Sequence, residues 1–323
     1  MLENHGYDSI IGDAHAPYLN RLAAHYGLAT QYFGVTHPSE PNYIAATSGH
    51  NWWLNDDSPD NRPDHRNIVD ELESHDVPWA AYMDAMPSTG FDGDSANGGL
   101  YVSRHNPFML YPDVRQDSAR TQHIKPYESL SGDLNGRGGT IPRYVWITPD
   151  ICNDMHGGVD TAVPGHPESP CPYADAVDDA NDISLKSKAE TFLHSTVDAI
   201  MGSRAWRSGR NNVIAIMTDE ADPFGPDSTG GQSDIRFAGN SGDSPLLPAG
   251  DPDVSPSWPG GRYGGGHIPA IVISKNGPRG ATDDTPYNHY SLLRTIEEGF
   301  GLDRLALTAD DNQVNAMWPL FEN

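Results

Sequence analysis

The sequence contains few positive charges. Its 323 residues include 20 Lys and Arg against 45 Asp and Glu, which gives a formal net charge of -25. This charge repels the phosphate backbone of nucleic acids, so nucleic-acid binding is excluded as the expected function. A phosphate-handling enzyme with such a charge needs a locally positive element, and a bound divalent cation is the simplest one. Most of the acidic residues are expected to be solvated surface groups.

Long apolar runs are also missing. No stretch approaches the roughly 18 residues that a membrane-spanning helix needs, so we expect no stable membrane insertion. The sequence has no signal peptide, yet it opens with Met-Leu-Glu-Asn-His, where the end of a buried first strand is expected. We therefore expect a longer reading frame, with a signal peptide and a first strand upstream of Met1, and a secreted or cell-envelope location.

Cysteine is scarce, with Cys152 and Cys171 lying 19 positions apart in a loop rich in Gly, Pro, Asp and His. The pair is interpreted either as one disulfide that closes this loop or as two reduced thiols of a cytosolic protein, and we prefer the disulfide. Neither C-x-x-C nor a paired-thiol zinc spacing is present.

Glycine and proline are abundant, with 33 and 27 residues, and they concentrate between the periodic segments. This distribution predicts a compact core under long, irregular loops that build sites. The length and the 37% apolar content allow one large α/β domain or two small ones. We expect a single domain over residues 1–323, with a Gly-rich loop insertion at 225–266.

Apolar patterns typical of helices and strands alternate along the chain. The predicted helices cover residues 14–26, 42–48, 67–74, 185–201 and 289–300, with Gly27 as the C-cap of the first. The predicted strands cover residues 79–83, 144–148, 213–217 and 268–274. This alternation predicts an α/β fold with a central, mostly parallel sheet flanked by helices.

Oxygen-bearing side chains follow two of the expected strand ends. Glu3 and Asn4 lie where the first strand should end, and Asp219 and Glu220 come directly after the strand at 213–217. The carboxyl ends of parallel strands are the usual place for sites in open sheets. Oxygen donors on two rigid elements suit a hard divalent cation such as Mg, Ca or Mn. Each pair taken alone is also typical of solvated loop residues.

The segment 36–42 combines a hydroxyl group with a predicted helix start. Pro38 and Pro41 lie three residues apart and exclude regular structure. Ser39 comes just before the predicted helix, where backbone N–H groups and the helix dipole favour an anion. A cation beside Ser39 would activate it as a nucleophile, whereas the alternative is that Ser39 only caps the helix.

Seven stretches, in order along the chain, resemble the signatures of one family. They are residues 3–12 (ENHGYDSIIG), 37–49 (HPSEPNYIAATSG), 104–107 (RHNP), 152–157 (CNDMHG), 218–221 (TDEA), 266–269 (GHIP) and 287–297 (YNHYSLLRTIE). Together they resemble the phosphoesterase family of acid phosphatases and bacterial phospholipases C, within the alkaline phosphatase superfamily. The resemblance implies an alkaline-phosphatase-like sheet flanked by helices, a hydroxyl nucleophile that becomes phosphorylated, and one divalent metal ion.

The resemblance also implies roles for individual residues. Glu3 and Asn4 resemble the first metal-binding pair, and Asp219 and Glu220 resemble the second. Ser39 resembles the nucleophile.

Three further residues lie close in sequence to these. Thr36 is the fallback nucleophile, and Asn42 is expected to donate to a nonbridging phosphate oxygen, to cap the helix, or both. His5, beside the first metal-binding pair, carries no assigned role.

The matching stretches contain several histidines. His105 and His156 are expected to bind phosphate oxygens or to protonate the leaving group. Asp154 is expected to orient His156 or to join the metal shell, and His267 to contact the substrate. His289 is expected to be a buried or capping residue.

The favoured function is therefore hydrolysis of a small phosphate ester, preferably a monoester, by in-line attack of Ser39 with a phosphoseryl intermediate. One alternative is a phosphodiesterase of the phospholipase C kind. Another is a non-catalytic surface protein in which Glu3, Asp219 and Glu220 hold a structural calcium ion.

Overall fold

The computed structural model describes residues 1–54, 56–137, 139–221 and 264–322. The α-helices are α1 (Tyr7–Ile10), α2 (Pro17–His25), α3 (Ser39–Ser48), α4 (Ile68–Ser74), α5 (Pro112–Arg115), α6 (Ser118–Thr121), α7 (Leu130–Leu134), α8 (Ala180–Met201), α9 (Arg204–Ser208), α10 (His289–Phe300) and α11 (Trp318–Phe321). The strands are β1 (Gly27–Ala29), β2 (Tyr32–Phe33), β3 (Trp79–Met83), β4 (Ser95–Ala96), β5 (Tyr101–Val102), β6 (Ile124–Pro126), β7 (Tyr144–Thr148), β8 (Val213–Met217), β9 (Ala270–Ser274), β10 (Ala281–Asp283) and β11 (Tyr287–Asn288). Short 3-10 helices cover Asn97–Gly99, Ser103–His105, Pro107–Met109, Tyr127–Ser129 and Ala306–Ala309. These elements confirm the α/β class.

The chain folds into two compact units. One consists of Glu3–Asp57 and Val213–Asn323, and we call it the terminal unit. The other consists of Met1–Leu2 and Ser58–Asn212, and we call it the middle unit. The single domain expected over residues 1–323 stays a prediction.

The terminal unit contains a mixed sheet with the strand order β10-β1-β9-β8. Strand β1 runs parallel to β10 and antiparallel to β9, and β9 runs antiparallel to β8, with Met217 opposite Ala270. The sheet of this unit therefore has fewer parallel strand pairs than the sequence predicted, because short apolar runs indicate burial but not strand direction. The carboxyl end of β8 still leads directly into Asp219 and Glu220.

Helices α3 and α10 of the terminal unit share a core. Val35, Ala45, Tyr290 and Val314 are buried together, and the partly buried Leu307 packs against them. The side chain of Asn288 caps α10 by accepting hydrogen bonds from the backbone N–H groups of the first turn. This helix is amphipathic, as its spacing predicted, so burial of one face fixes its position in the unit.

The middle unit contains a parallel three-stranded sheet with the order β6-β3-β7. Ala80 and Tyr82 of β3 pack against Leu130 and Leu134 of α7. Helix α8 begins after Asp179, whose carboxylate accepts hydrogen bonds from the backbone of the first turn.

Several predicted bounds are confirmed and others shift. The strands at 79–83, 144–148 and 213–217 and the helix at 289–300 lie as predicted. Tyr26, rather than Gly27, follows α2 as its C-cap, because Gly27 already belongs to β1. Helix α3 begins at Ser39, three residues before the predicted start, because Pro41 is tolerated in a first turn where its missing N–H has no intrahelical partner.

The remaining shifts are at element starts. Helix α2 begins at Pro17 rather than at residue 14, Asn67 is the N-cap of α4 rather than its first residue, α8 begins at Ala180, and β9 begins at Ala270. Most of the loop insertion expected at 225–266, residues 225–263, lies outside the described residues. Across the described ranges, no helix combines the length and the apolar character that crossing a bilayer requires.

Cys152 and Cys171 form a disulfide with a Cα–Cα distance of 5.4 Å, which confirms the preferred interpretation of the pair. The loop that the bond closes is pinned further by reciprocal backbone hydrogen bonds between Val159 and Cys171. The bond therefore fixes both ends of a segment with little regular structure.

We expect the double substitution Cys152→Ser and Cys171→Ser to lower the free energy of unfolding by about 3 kcal/mol, because the bond restricts a loop of about 20 residues in the unfolded chain. Urea denaturation followed by circular dichroism measures the change. Wild-type protein treated with a reductant serves as the control and should unfold like the double variant. An unchanged midpoint would contradict the expected role of the bond.

Candidate active site

The carboxylate of Glu3 lies among hydroxyl groups of helix α3. One oxygen, Oε2, accepts a hydrogen bond from Ser39 Oγ at 2.8 Å, and the other, Oε1, accepts one from the Tyr43 hydroxyl at 2.6 Å. Ser39 and Tyr43 lie four residues apart and therefore on one face of the helix. A single helix face thus holds both oxygens of a fully buried carboxylate.

Ser39 also contacts the acidic segment that follows β8. Its hydroxyl lies 3.1 Å from Glu220 Oε1, and His37 Nδ1 contacts the other carboxylate oxygen of Glu220. The hydroxyl therefore lies between two carboxylates that come from distant parts of the chain.

Asp219 is fully buried beside these groups. Its Oδ1 accepts the backbone N–H of Asn4 at 3.1 Å, and Asn4 adopts a left-handed conformation with φ 51°, which asparagine tolerates better than most residues. Burial raises the pKa of Asp219 well above its usual value, and the charge of Glu220 raises it further, while the Asn4 N–H and Ser39 oppose the change.

This donor set fits a hard divalent cation. Glu3 and Asp219 are fully buried and Glu220 is 4% exposed, so like charges share a poorly solvated site. Asp219 Oδ2 is buried and has no hydrogen-bond partner among the described residues. A cation held by these carboxylates would satisfy that oxygen and offset the repulsion. The predicted ligand role of Asn4 stays a prediction, since its described contact is through the backbone.

Close backbone packing brings the Ser39 loop to the end of β8. A Cβ atom on Gly34 would lie 2.9 Å from the carbonyl oxygens of Asp219 and Gly265, and one on Gly265 would lie 2.7 Å from Thr36 O. Gly265 also accepts the N–H of Ala221 and donates its own N–H to Gly34. Glycine is required at both positions because any side chain would separate these segments.

Asn42 fixes the shape of the loop before Ser39. Its Oδ1 accepts the backbone N–H groups of Val35 and Thr36 at 2.8 and 3.1 Å. Its Nδ2 donates to the carbonyls of Thr36 and Pro38 at 2.7 and 3.2 Å. The N-cap of α3 is Pro38, so the expectation that Asn42 caps the helix is wrong. Both amide hydrogens are engaged with the backbone, and donation to a phosphate oxygen stays a prediction.

Thr36, the fallback nucleophile, is fully buried, and its hydroxyl donates to the carbonyl of His37 at 3.2 Å. The Ser39 hydroxyl, in contrast, hydrogen-bonds to the carboxylates of both Glu3 and Glu220. The geometry therefore favours Ser39 over Thr36.

Two histidines contact the backbone of the segments that carry Asp219 and Glu3. His289 is fully buried, and its Nε2 lies 2.6 Å from the carbonyl oxygen of Asp219 while its Nδ1 lies 3.2 Å from the Tyr32 hydroxyl. Its burial is confirmed, but capping is wrong because Asn288 caps α10. Burial lowers the pKa of His289 to about 4. His5 Nδ1 lies 3.0 Å from the carbonyl oxygen of Glu3.

The ring of His267 contacts an aromatic side chain and a backbone carbonyl group. Its ring stacks on Tyr7 with centroids 4.3 Å apart, and its Nε2 lies 3.0 Å from the carbonyl oxygen of Thr30. Its expected contact with the substrate stays a prediction.

The middle unit brings together three other predicted residues. Asp154 Oδ2 lies 3.1 Å from His105 Nδ1, and Asp154 Oδ1 accepts the backbone N–H of His156. The first bond orients the ring of His105. The second bond reaches only the backbone of His156 and not its ring. Burial raises the pKa of Asp154 and lowers that of His105, and both changes favour the neutral forms.

The ring of His156 has a defined tautomer. Nδ1 lies 2.8 Å from the carbonyl oxygen of Gly157 and so carries the proton, while Nε2 accepts from Arg104 Nη2 at 3.3 Å. Burial and the charge of Arg104 lower the pKa of His156 to about 4, so the ring is neutral near pH 7. The catalytic roles of His105 and His156 stay predictions.

Three contacting residues were not identified from the sequence. Tyr43 follows Ser39 at helical spacing, and this spacing could have indicated a shared partner. His37 and Arg104 lie inside the matching stretches, but nothing in their spacing predicted contacts with Glu220 and His156.

Comparison with known proteins supports the resemblance. The phosphoesterase family profile matches residues 12–166 and 176–303. An acid phosphatase of Aspergillus fumigatus is 27% identical over 310 residues, which cover 94% of this chain and 54% of that protein. A probable acid phosphatase of Kluyveromyces lactis is 36% identical over 163 residues, which cover 48% of this chain and 37% of that protein. The chain thus spans about half, or less, of the length of these relatives.

A solved structure shows the same fold. A protein in the alkaline phosphatase superfamily from Vibrio parahaemolyticus is similar with a TM-score of 0.51 and 14% identity, covering 98% of this chain and 67% of that one. At this identity the likeness concerns the fold alone, and it confirms the expected alkaline-phosphatase-like α/β architecture. Because the family profile matches most of its length, this chain belongs to the phosphoesterase family.

Proposed function

We propose that the chain hydrolyses phosphate monoesters with Ser39 as the nucleophile and with the help of one divalent cation. The observation that carries the proposal is the position of the Ser39 hydroxyl at the start of α3, in hydrogen bonds to both Glu3 and Glu220. A serine hydroxyl needs an adjacent base or cation to act as a nucleophile, and this arrangement supplies acceptors for its proton.

Glu3, Asn4, Asp219 and Glu220 are the residues that would hold the cation, with Mg, Ca or Mn as candidates. When bound, the cation would lower the pKa of the Ser39 hydroxyl and stabilise negative charge on the phosphate oxygens. The dipole of α3 favours the same charge at the start of the helix, where the backbone N–H of Glu40 already donates to Asp57 Oδ1 at 2.9 Å.

The reaction has two balanced steps. In the first, Ser39 gives up its hydroxyl proton, its oxygen bonds to phosphorus, and the bond from phosphorus to the alcohol oxygen breaks as that oxygen takes up a proton. In the second, water attacks phosphorus, the bond to Ser39 breaks, and the serine oxygen regains a proton as inorganic phosphate forms. The hydrogen bonds of the Asn42 side chain with the backbone of residues 35–38 would hold the serine loop in place during both steps.

A small monoester is the proposed substrate, and the similarity to acid phosphatases supports this choice. A secreted or cell-envelope location is proposed with it, and the disulfide supports an oxidising compartment.

Replacing Ser39 by Ala should reduce the hydrolysis of p-nitrophenyl phosphate by at least about 1,000-fold, because the proposed reaction passes through a covalent bond to the Ser39 oxygen. Ser48→Ala is the matched control, since Ser48 is a buried serine of the same helix that hydrogen-bonds only to backbone carbonyls in its described donor contacts. Its activity should stay near that of the wild type.

Two results would overturn this proposal in different ways. Faster hydrolysis of bis-p-nitrophenyl phosphate or of phosphatidylcholine than of the monoester would favour the phosphodiesterase alternative. Cation binding without turnover of any of the three substrates would favour the non-catalytic calcium-binding alternative.

Removal of divalent cations should abolish the activity, and Asp219→Asn should reduce kcat/KM by about 100-fold or more, since a catalytic cation contributes several kcal/mol. Assays with a chelator, followed by addition of Mg²⁺, Mn²⁺ or Ca²⁺, measure the first effect. Asp311→Asn is the control, because that carboxylate is 82% exposed. Full activity in the chelator would refute the cation requirement.

Asn42→Ala should lower the free energy of unfolding by about 2 kcal/mol, because it leaves buried backbone groups without partners, and it should also lower kcat. Asn20→Ala is the matched control: Asn20 donates to three backbone carbonyls at 2.8–3.0 Å around residues 10–16. That variant should lose stability but keep its kcat below the melting temperature. Equal kcat in both variants would contradict a positioning role for Asn42.

A further inference from the structure

The disulfide loop of the middle unit brings a second group of potential metal ligands together. Asp150, His166 and Glu168 each offer one ligand atom, and these atoms all lie within 4.8 Å of one another. Asp150 lies two residues before Cys152, and Glu168 lies three residues before Cys171. The covalent bond between the cysteines therefore holds the two ligand-bearing ends of the loop side by side.

The two carboxylate oxygens of Asp150 have different surroundings. Its Oδ1 accepts the backbone N–H groups of Cys152 and Asn153, both at 2.9 Å. Asp150 is only 2% exposed, and its Oδ2 is buried without a hydrogen-bond partner in the described part of the chain. A buried carboxylate oxygen without a partner lowers the stability of the fold unless a cation binds it or a hydrogen-bond donor contacts it.

The other two ligands are held by a tight turn. His166 Nδ1 lies 2.9 Å from Glu168 Oε1. The N–H of His166 donates to the Val163 carbonyl, and the Ser169 hydroxyl donates to the His166 carbonyl at 2.8 Å. The side chains of His166 and Glu168 are 23% and 16% exposed, so they are ordered by the turn yet accessible to an ion.

We propose that Asp150, His166 and Glu168 bind a divalent transition-metal cation, for which Zn²⁺ is a suitable probe. One imidazole nitrogen and two carboxylate oxygens form a donor set that zinc accepts, with water completing the coordination. Bonds of about 2.1 Å place ligand atoms about 3.4 Å apart in a tetrahedral site, so the group closes by movements of about 1 Å. The half-buried side chains of His166 and Glu168 can supply such movements by rotation.

The site does not depend on the proposed hydrolysis, because none of its three ligands is among the residues proposed to take part in that reaction. Asp84 adds a further negative charge nearby, since its Oδ2 accepts from the side chain of Asn153 at 3.0 Å and lies 3.5 Å from the N–H of Asp150. A cation would offset this charge and fasten the segment that carries Asp154 and His156. Its role is thus to stabilise the loop.

The test measures Zn²⁺ binding to the full chain after removal of all metals, by calorimetry and by metal analysis after gel filtration. His166→Ala and Glu168→Gln should each lose one bound Zn²⁺ per chain, or bind it at least about 10-fold more weakly, the lower limit for losing even a group that only supports a ligand. Ser39→Ala should keep this ion. His194→Ala is the control, because its side chain is an exposed histidine of the same unit.

Zn²⁺ should also raise the melting temperature of the wild type by more than that of the two ligand variants, which keep the cation site proposed at Glu3, Asp219 and Glu220. Equal Zn²⁺ content and affinity in wild type, His166→Ala and Glu168→Gln would overturn the proposal. Crystals of the wild type soaked in Zn²⁺ give a test that needs no variant, since anomalous scattering should show a peak between the three side chains. Its absence there would also overturn the proposal.

Discussion

The contact between the Ser39 hydroxyl and two buried carboxylates is the constraint on which the terminal unit depends. Glu3, Asp219 and Glu220 bring like charges into a site with little access to water. Two unit charges about 5 Å apart repel each other by about 3 kcal/mol at an effective dielectric constant of about 20. The hydroxyls of Ser39 and Tyr43 offset part of this cost by donating to Glu3. A bound cation would offset the rest and would also make the serine reactive.

The other features of this unit follow from keeping those groups together. Gly34 and Gly265 allow the serine loop and the end of β8 to approach through their backbones. Asn42 closes the loop with hydrogen bonds to four backbone groups, and His289 holds the carbonyl of Asp219. The polar groups around the site are therefore satisfied mainly by backbone partners, which leaves the hydroxyl and the carboxylates for chemistry.

The middle unit also places ionisable side chains close together away from water, and there the neutral forms are favoured. Asp154 and His105 are buried and His156 is half-buried, and desolvation shifts the pKa values of all three towards the neutral forms. The charge of Arg104 acts on both histidines in the same direction as burial. The disulfide between Cys152 and Cys171 closes the loop that carries Asp154 and His156, a segment with little regular structure.

The sequence by itself determined the α/β class, the cores of β3, β7 and α10, and the residue types at the candidate site, because apolar periodicity is local and the oxygen-bearing groups follow from residue type alone. Only the tertiary structure decided the antiparallel pairing of β8 with β9 and the partners Tyr43 and His37. The contacts of Ser39 with the carboxylates join residues 36 and 181 positions apart. Such contacts arise from packing between distant segments, which no local pattern of residues specifies.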